Sequence, residues 1–151
     1  MLDKKDQQIL TALQENARIS VSDLANTISL SDTPCLRRIK KLEKEHVITG
    51  YHASINPKKL ELNVLVYAFI RLNQNSVSAA DLFEQSVEKL PHVLECSVIS
   101  GSYDYLLKII ANDLESYEQF VKHRLGSLSC IANIESTVVL KQSFTKKQLP
   151  L

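Results

Sequence analysis

Residues 29–44 read Ser29-Leu30-Ser31-Asp32-Thr33-Pro34-Cys35-Leu36-Arg37-Arg38-Ile39-Lys40-Lys41-Leu42-Glu43-Lys44. Cys35, Ile39 and Leu42 recur at helical spacing, so Asp32–Lys44 is expected to be a helix with one buried stripe. Ser31 is a good cap for it. Pro34 falls in its first turn, where a missing N–H costs little. With that stripe turned inward, Thr33, Arg37, Arg38 and Lys41 share one broad polar surface.

Two shorter helices are expected upstream. Ile9, Leu10, Leu13 and Ala17 follow Asp3 at helical spacing and predict a helix from about Asp3 to Asn16. Ser20 and Asp23 have capping-box spacing, and Val21, Leu24, Ala25 and Ile28 give the next helix an apolar face ending near Thr27 or Ile28. Three short helices with a tight break before the third match a helix-turn-helix, whose last helix enters the major groove of DNA. On that reading Ser31, Thr33, Arg37 and Arg38 lie at the front, where arginine pairs with guanine edges. Lys40, Lys41 and Lys44 lie where lysines neutralise phosphates. A helical hairpin packed for structural reasons alone fits the same spacing.

The charge distribution bears on that choice. The 151 residues carry 18 Lys and Arg against 17 Asp and Glu, so no global excess points to an anionic partner. Thr33–Lys59, however, holds seven bases (Arg37, Arg38, Lys40, Lys41, Lys44, Lys58, Lys59) against Glu43 and Glu45. Taken alone, such a run is also what a solvated helix face looks like. A hydrophobic content of 44% with 23% charged residues is that of a globular chain. The longest apolar stretch, near Val64–Ile70, falls far short of the roughly 20 residues a membrane-spanning helix needs, and the N-terminus lacks the apolar core of a secretion signal. A cytoplasmic protein with no membrane partner is expected.

Val47–Pro57 alternates and is rich in β-branched residues, and is expected to be extended chain bending at Gly50 and Asn56-Pro57. Beyond it the pattern predicts strands over Val64–Leu72, Val93–Ser100, Tyr105–Ala111 and Ile131–Phe144. Helices are predicted over Ser78–Leu90 and from Leu114 to a stop at Gly126. The order β-α-β-β-α-β is the ferredoxin-like split βαβ arrangement, with two helices on one sheet face. Tyr67, Phe69, Val98, Ile99, Leu107 and Ile109 put apolar side chains on both faces, so the open face is expected to meet another subunit. Dimerisation would also place two recognition helices on a two-fold operator.

Several motifs in order resemble the Lrp/AsnC (feast/famine) transcription regulators. They are Leu2-Asp3-x-x-Asp6-x-x-Ile9-Leu10-x-x-Leu13-Gln14-x-Asn16-Ala17-Arg18-Ile19-Ser20, Leu30-Ser31-x-Thr33-Pro34-Cys35-x-x-Arg38-Ile39-Lys40-x-Leu42-Glu43, Val47-Ile48-x-Gly50-Tyr51-x-Ala53-x-Ile55-Asn56-Pro57, and Gly101-Ser102-Tyr103-Asp104-Tyr105-Leu106-Leu107-Lys108. The closing Thr145-x-x-x-Leu149-Pro150-Leu151 is similar to a tail found in some members. The resemblance implies an α+β chain. A winged helix-turn-helix over 1–50 is followed by a β linker over 51–62 and a ferredoxin-like effector (RAM) domain over 63–151. It implies promoter DNA as partner, a homodimer assembling further to an octamer, and a small-molecule effector, commonly an amino acid. The effector cleft would lie between subunits, lined by Gly101, Ser102, Tyr103 and Asp104, with Thr137 near it. Ser102 stands where the family signature Gly-Asp-x-Asp has its first aspartate, so one acidic group is missing while Asp104 remains to pair with an ammonium group. Tyr103 is expected to pack either over a ligand or in an interface.

Other chemistry finds no frame. His46, His52, His92 and His123 lack paired ligand spacing, so no metal is expected. Cys35, Cys96 and Cys130 are too scattered for a disulfide framework or a CxxC site, and are read as packing residues. There is no GxSxG elbow. Three glycines make no phosphate-cradling loop. Neither enzyme activity nor a cofactor is expected. The rivals are an architectural DNA-wrapping protein that needs no ligand, and a metabolite-binding enzyme or sensor whose helices mediate assembly.

Overall fold

The computed structural model describes residues 2–151. Its first helix, α1, spans Lys4–Glu15 and opens on a reciprocal capping box. The Asp3 side chain accepts the Asp6 N–H at 2.9 Å, and the Asp6 carboxylate accepts the Asp3 N–H at 3.3 Å. Two donors that the helix cannot satisfy internally are thereby paired. Helix α2 spans Val21–Thr27. Ser20 Oγ accepts the Asp23 N–H at 3.0 Å, but the Asp23 carboxylate takes the Ser20 hydroxyl at 2.6 Å instead of reaching a backbone N–H, so this box is half formed. Ser29, in the left-handed region at φ 54°, turns the chain into α3, Asp32–Lys44.

Ile9, Leu10, Leu24, Ala25, Ile28, Cys35, Ile39 and Leu42 close into one core between these helices. Lys5 ties α1 to α2 by donating to the Ile28 carbonyl. Ala17, expected on the first apolar face, is exposed beyond the end of α1, because Asn16 leaves the helix in an extended conformation. Helix α3 ends with His46 left-handed at φ 54° and the Val47 N–H bonded to the Leu42 carbonyl at 2.9 Å, the six-to-one bond of a Schellman motif.

The expected wing and β linker are not strands here. Residues 51–56 are irregular and exposed, and Pro57–Leu60 is a single 3-10 turn. An extended segment without a neighbour to pair with forms no ladder. Tyr51 is nonetheless anchored, its hydroxyl donating to Glu43 Oε1 at 2.9 Å.

The remaining elements are β1 (Val64–Leu72), α4 (Val77–Glu88), β2 (Val93–Val98), β3 (Tyr105–Ala111), α5 (Leu114–Phe120) and β4 (Ile131–Val138). They form an antiparallel sheet in the order β2-β3-β1-β4. This is the expected ferredoxin-like arrangement. Val66, Ala68, Ile70, Leu72, Tyr105, Leu107, Ile109 and Ala111 alternate along β1 and β3 and pack against Phe83 and Val87 of α4 and Tyr117 and Phe120 of α5. The last turn before Gly126 is a π-helical bulge over Val121–Leu125, the Gly126 N–H reaching back five residues to the Val121 carbonyl at 2.7 Å. Strand β4 ends at Val138, not Phe144: once the Val139 N–H has bonded Leu65, near the start of β1, no partner is left for the chain beyond.

Two compact units result. One comprises the residues up to Ser54 together with Ser143–Leu151; the other is Ile55–Gln142. The tail therefore packs with the helical unit and not, as expected, with the sheet unit. Gln14 holds it as a neighbouring strand would, its Nε2 donating to the Leu149 carbonyl at 3.2 Å and its Oε1 accepting the Leu149 N–H at 2.6 Å. Lys147 Nζ adds a bond to Ser54 Oγ at 2.8 Å.

Candidate functional site

The outer surface of α3 is the first candidate. Cys35, Ile39 and Leu42 are buried as the spacing predicts, which turns Thr33, Arg37, Lys40, Lys41 and Lys44 outward, all exposed. Burial pushes the Cys35 thiol up, consistent with an inert packing role. Ser31 sits at the N-cap, yet its hydroxyl makes no capping bond and faces outward with Thr33. Arg37 makes no ion pair among the described residues. Lys41 has only a loose 3.9 Å contact with Glu45. The face is thus a row of solvated cations and hydroxyls along one helix.

Arg38 is the exception. Its Nη1 lies 2.6 Å from Asp3 Oδ2 and 2.7 Å from Asp6 Oδ1, so its guanidinium closes the capping box of α1 and is not presented at the front of α3. Asp6 is only 2% exposed. The Asp6 N–H first, and then the Arg38 guanidinium, hold the Asp3 carboxyl below its ordinary value; the same two carboxylates raise Arg38. The expectation that Arg38 stands with Arg37 as a free reading group does not fit this geometry. Sequence reading missed Asp6 as a site-shaping residue. Its only signal there is the Asp3-x-x-Asp6 spacing.

The turn between β2 and β3 is the second candidate. Gly101 holds φ at +115°, a conformation that L side chains rarely adopt. The turn splits its side chains between two sides of the sheet. Tyr103 lies over the open face, its ring 5.6 Å from that of Phe69, its hydroxyl donating to Glu135. That bond, ahead of burial, pushes its phenol up. Register places Glu135 opposite Phe69 and Thr137 opposite Tyr67, so Thr137 lies on this same face, exposed, one pleat from Glu135.

Asp104 turns the other way. Its Oδ2 accepts the Leu72 N–H at 2.7 Å, and its own N–H donates to the Ile70 carbonyl at 2.8 Å, bracing β1 where the β1–β4 register shifts. It also borders a groove of about 310 Å³ walled by Leu72, Val77, Ala80, Val98 and Ile99. Ser102 and Gly101 are exposed at the tip. Sequence reading also missed Arg71, whose Nε donates to the Ser102 carbonyl at 2.9 Å and whose guanidinium carbon lies 5.2 Å from the centre of the Tyr103 ring.

The open sheet face carries Leu65, Tyr67, Phe69, Leu106 and Ile110, while Val98, Leu107 and Ile109 point to the helix side. Apolar residues on both faces are therefore present as expected. Among the described residues no helix is long and apolar enough to cross a membrane, and no cluster of His, Cys, Asp and Glu is arranged to hold a metal.

A helix-turn-helix with a cationic third helix, followed by a βαββαβ domain, fits the class of DNA-binding regulators. Comparison with known proteins agrees. Residues 2–43 match the AsnC-type helix-turn-helix domain and residues 65–149 the Lrp/AsnC ligand binding domain. The proline dehydrogenase transcriptional activator of Rhizobium radiobacter is 36% identical over 140 residues, covering 93% of this chain and 90% of that protein. The leucine-responsive regulatory protein of Escherichia coli K12 is 36% identical over 141 residues, covering 93% and 86%. A Neisseria meningitidis transcriptional regulator in complex with L-methionine superposes with a TM-score of 0.95 at 34% identity, covering 99% of this chain and 97% of that one. An AsnC family regulator of Agrobacterium tumefaciens gives 0.93 at 34%, with the same coverage. The chain belongs to the Lrp/AsnC family of transcription regulators.

Proposed function

We propose that this chain binds promoter DNA sequence-specifically through α3 and adjusts that binding to an amino-acid effector. The observation that carries the reading is the outward face of α3: a helix whose inner stripe is buried presents Arg37, Lys40, Lys41 and Lys44 with no strong acidic partner among the described residues. Ser31, Thr33 and Arg37 at the front meet base edges. Lys40, Lys41 and Lys44 neutralise phosphates and carry the salt dependence. Arg38 is a positioning residue that fixes α3 against α1.

Gly101, Ser102 and Tyr103, with Thr137 on the same open face, form the effector site, and Asp104 braces the turn from the other side of the sheet. The L-methionine in the Neisseria meningitidis structure supports an amino acid as the ligand class. The apolar open face supports a homodimer formed through the sheets, and the family resemblance supports further assembly to an octamer. The ligand acts by favouring one assembly over another, since only a difference in affinity between states can shift them. The family's activity is transcription regulation.

The test is binding to fragmented genomic DNA with and without a mixture of amino acids. Enrichment of a shared motif, altered by the mixture, is the expected result; uniform retention of all fragments contradicts it. A ligand-independent architectural role draws support from Asp104, one of whose oxygens is already engaged by the Leu72 N–H. Motif enrichment indifferent to every amino acid would decide for it.

A further inference from the structure

We propose that Arg71 is a carboxylate-binding group of the effector site, so that the ligand is recognised there by its anionic end. This rests on the effector reading above and names a residue that it lacked. Arg71 is exposed near the end of β1 and is held at two points. Its Nε is anchored on the Ser102 carbonyl, and its guanidinium carbon lies 5.2 Å from the centre of the Tyr103 ring, which Phe69 and the bond to Glu135 hold in turn.

Those contacts leave the two Nη groups without an acceptor among the described residues, and no carboxylate pairs with them. The acids nearest in sequence and register bond elsewhere, Glu135 through one oxygen to the Tyr103 hydroxyl and Asp104 through one oxygen to the Leu72 N–H, and neither forms an ion pair with Arg71. An arginine that is oriented but unpaired is a prepared fork for a bidentate carboxylate. Little side-chain freedom remains to be lost on binding.

Ser102 matters for the same reason. An acid at this position, whose own carbonyl already touches Arg71, could reach the fork and neutralise it. A serine leaves the charge available.

The test is calorimetric titration of the full chain with the twenty L-amino acids and with the corresponding amino-acid amides, in which the carboxylate is removed. Wild type is expected to bind at least one amino acid and to discriminate against its amide. Arg71→Gln is expected to lose about 10- to 100-fold in affinity for the acid and to bind acid and amide alike. Ser102→Asp is expected to weaken binding of the acid and so shrink its preference over the amide, and unaltered thermal unfolding of both variants shows that the fold is retained. Equal binding of acid and amide by wild type, or undiminished discrimination in Arg71→Gln, overturns the assignment of Arg71 alone. A wild-type chain silent to every acid and amide overturns the effector reading together with it.

Discussion

Asp6 Oδ1 and Arg38 Nη1 meet at 2.7 Å across 32 residues of sequence, and the same nitrogen lies 2.6 Å from Asp3. One guanidinium thus locks the N-terminus of α1 to the middle of α3. The orientation of α3 is set by charge as well as by the apolar core.

Replacing Arg38 with Gln strands the Asp6 carboxylate in a buried position and should lower the melting temperature of the helical unit at neutral pH. The sign of the pH dependence follows from Asp3. Its folded value lies below the ordinary 3.8, so the stabilisation is fully present above that value and is lost as the pH falls through the depressed one. The gap between wild type and Arg38→Gln should therefore be widest near pH 7 and close in strong acid. A gap that stays constant with pH contradicts the pairing.

Gly101→Ala forces a side chain onto a backbone at φ +115° with open space around it, so the cost is conformational and not steric. Unfolding by denaturant should show a loss of about 1–3 kcal/mol, with weaker effector binding because the turn carries Ser102 and Tyr103. Unchanged stability would mean that the turn relaxes freely.

Tyr67→Glu places a charge at the centre of the open face, between Thr137 and Lys108 in the register, among the apolar side chains of Leu65, Phe69, Leu106 and Ile110. If that face is the subunit interface, sedimentation should show a smaller species than wild type at the same concentration. An oligomer of unchanged size in the Tyr67→Glu variant would place the interface elsewhere.

Gln14→Leu removes both hydrogen bonds that hold Leu149. The Leu149 amide should then lose its protection from hydrogen exchange, and trypsin should cut after Lys146 or Lys147 sooner. Exchange within α1 should stay slow, because Ile9 and Leu10 keep their packing. Equal protection in wild type and variant would show that Gln14 is not the clasp.

What the sequence revealed tracks the range of the interactions. The stripe Cys35, Ile39 and Leu42 is a local periodicity, and it placed α3 and its outward face correctly. The alternation along β1 and β3, together with the order of strands and helices, likewise carried the sheet. The Arg38–Asp6 pair spans 32 residues and the Leu149 clasp 135, and no spacing rule reports such partners. Strand ends failed for the same reason: β4 stops where β1 runs out, which its own β-branched residues do not record. At the turn between β2 and β3 the motif was readable, but the direction of each side chain was not. Tyr103 and Asp104 are adjacent in sequence and turn to opposite sides of the sheet, and Arg71 reaches the turn from a different strand.

On the proposed function, α3 reads base sequence through Arg37 from an exposed face. The most direct measurement is the affinity of wild type and Arg37→Ala for a selected operator and for a scrambled duplex of equal length, at one salt concentration. The operator affinity should fall by about 1–3 kcal/mol, while the scrambled duplex changes much less. An equal loss on both duplexes would reduce Arg37 to a phosphate contact and contradict the account.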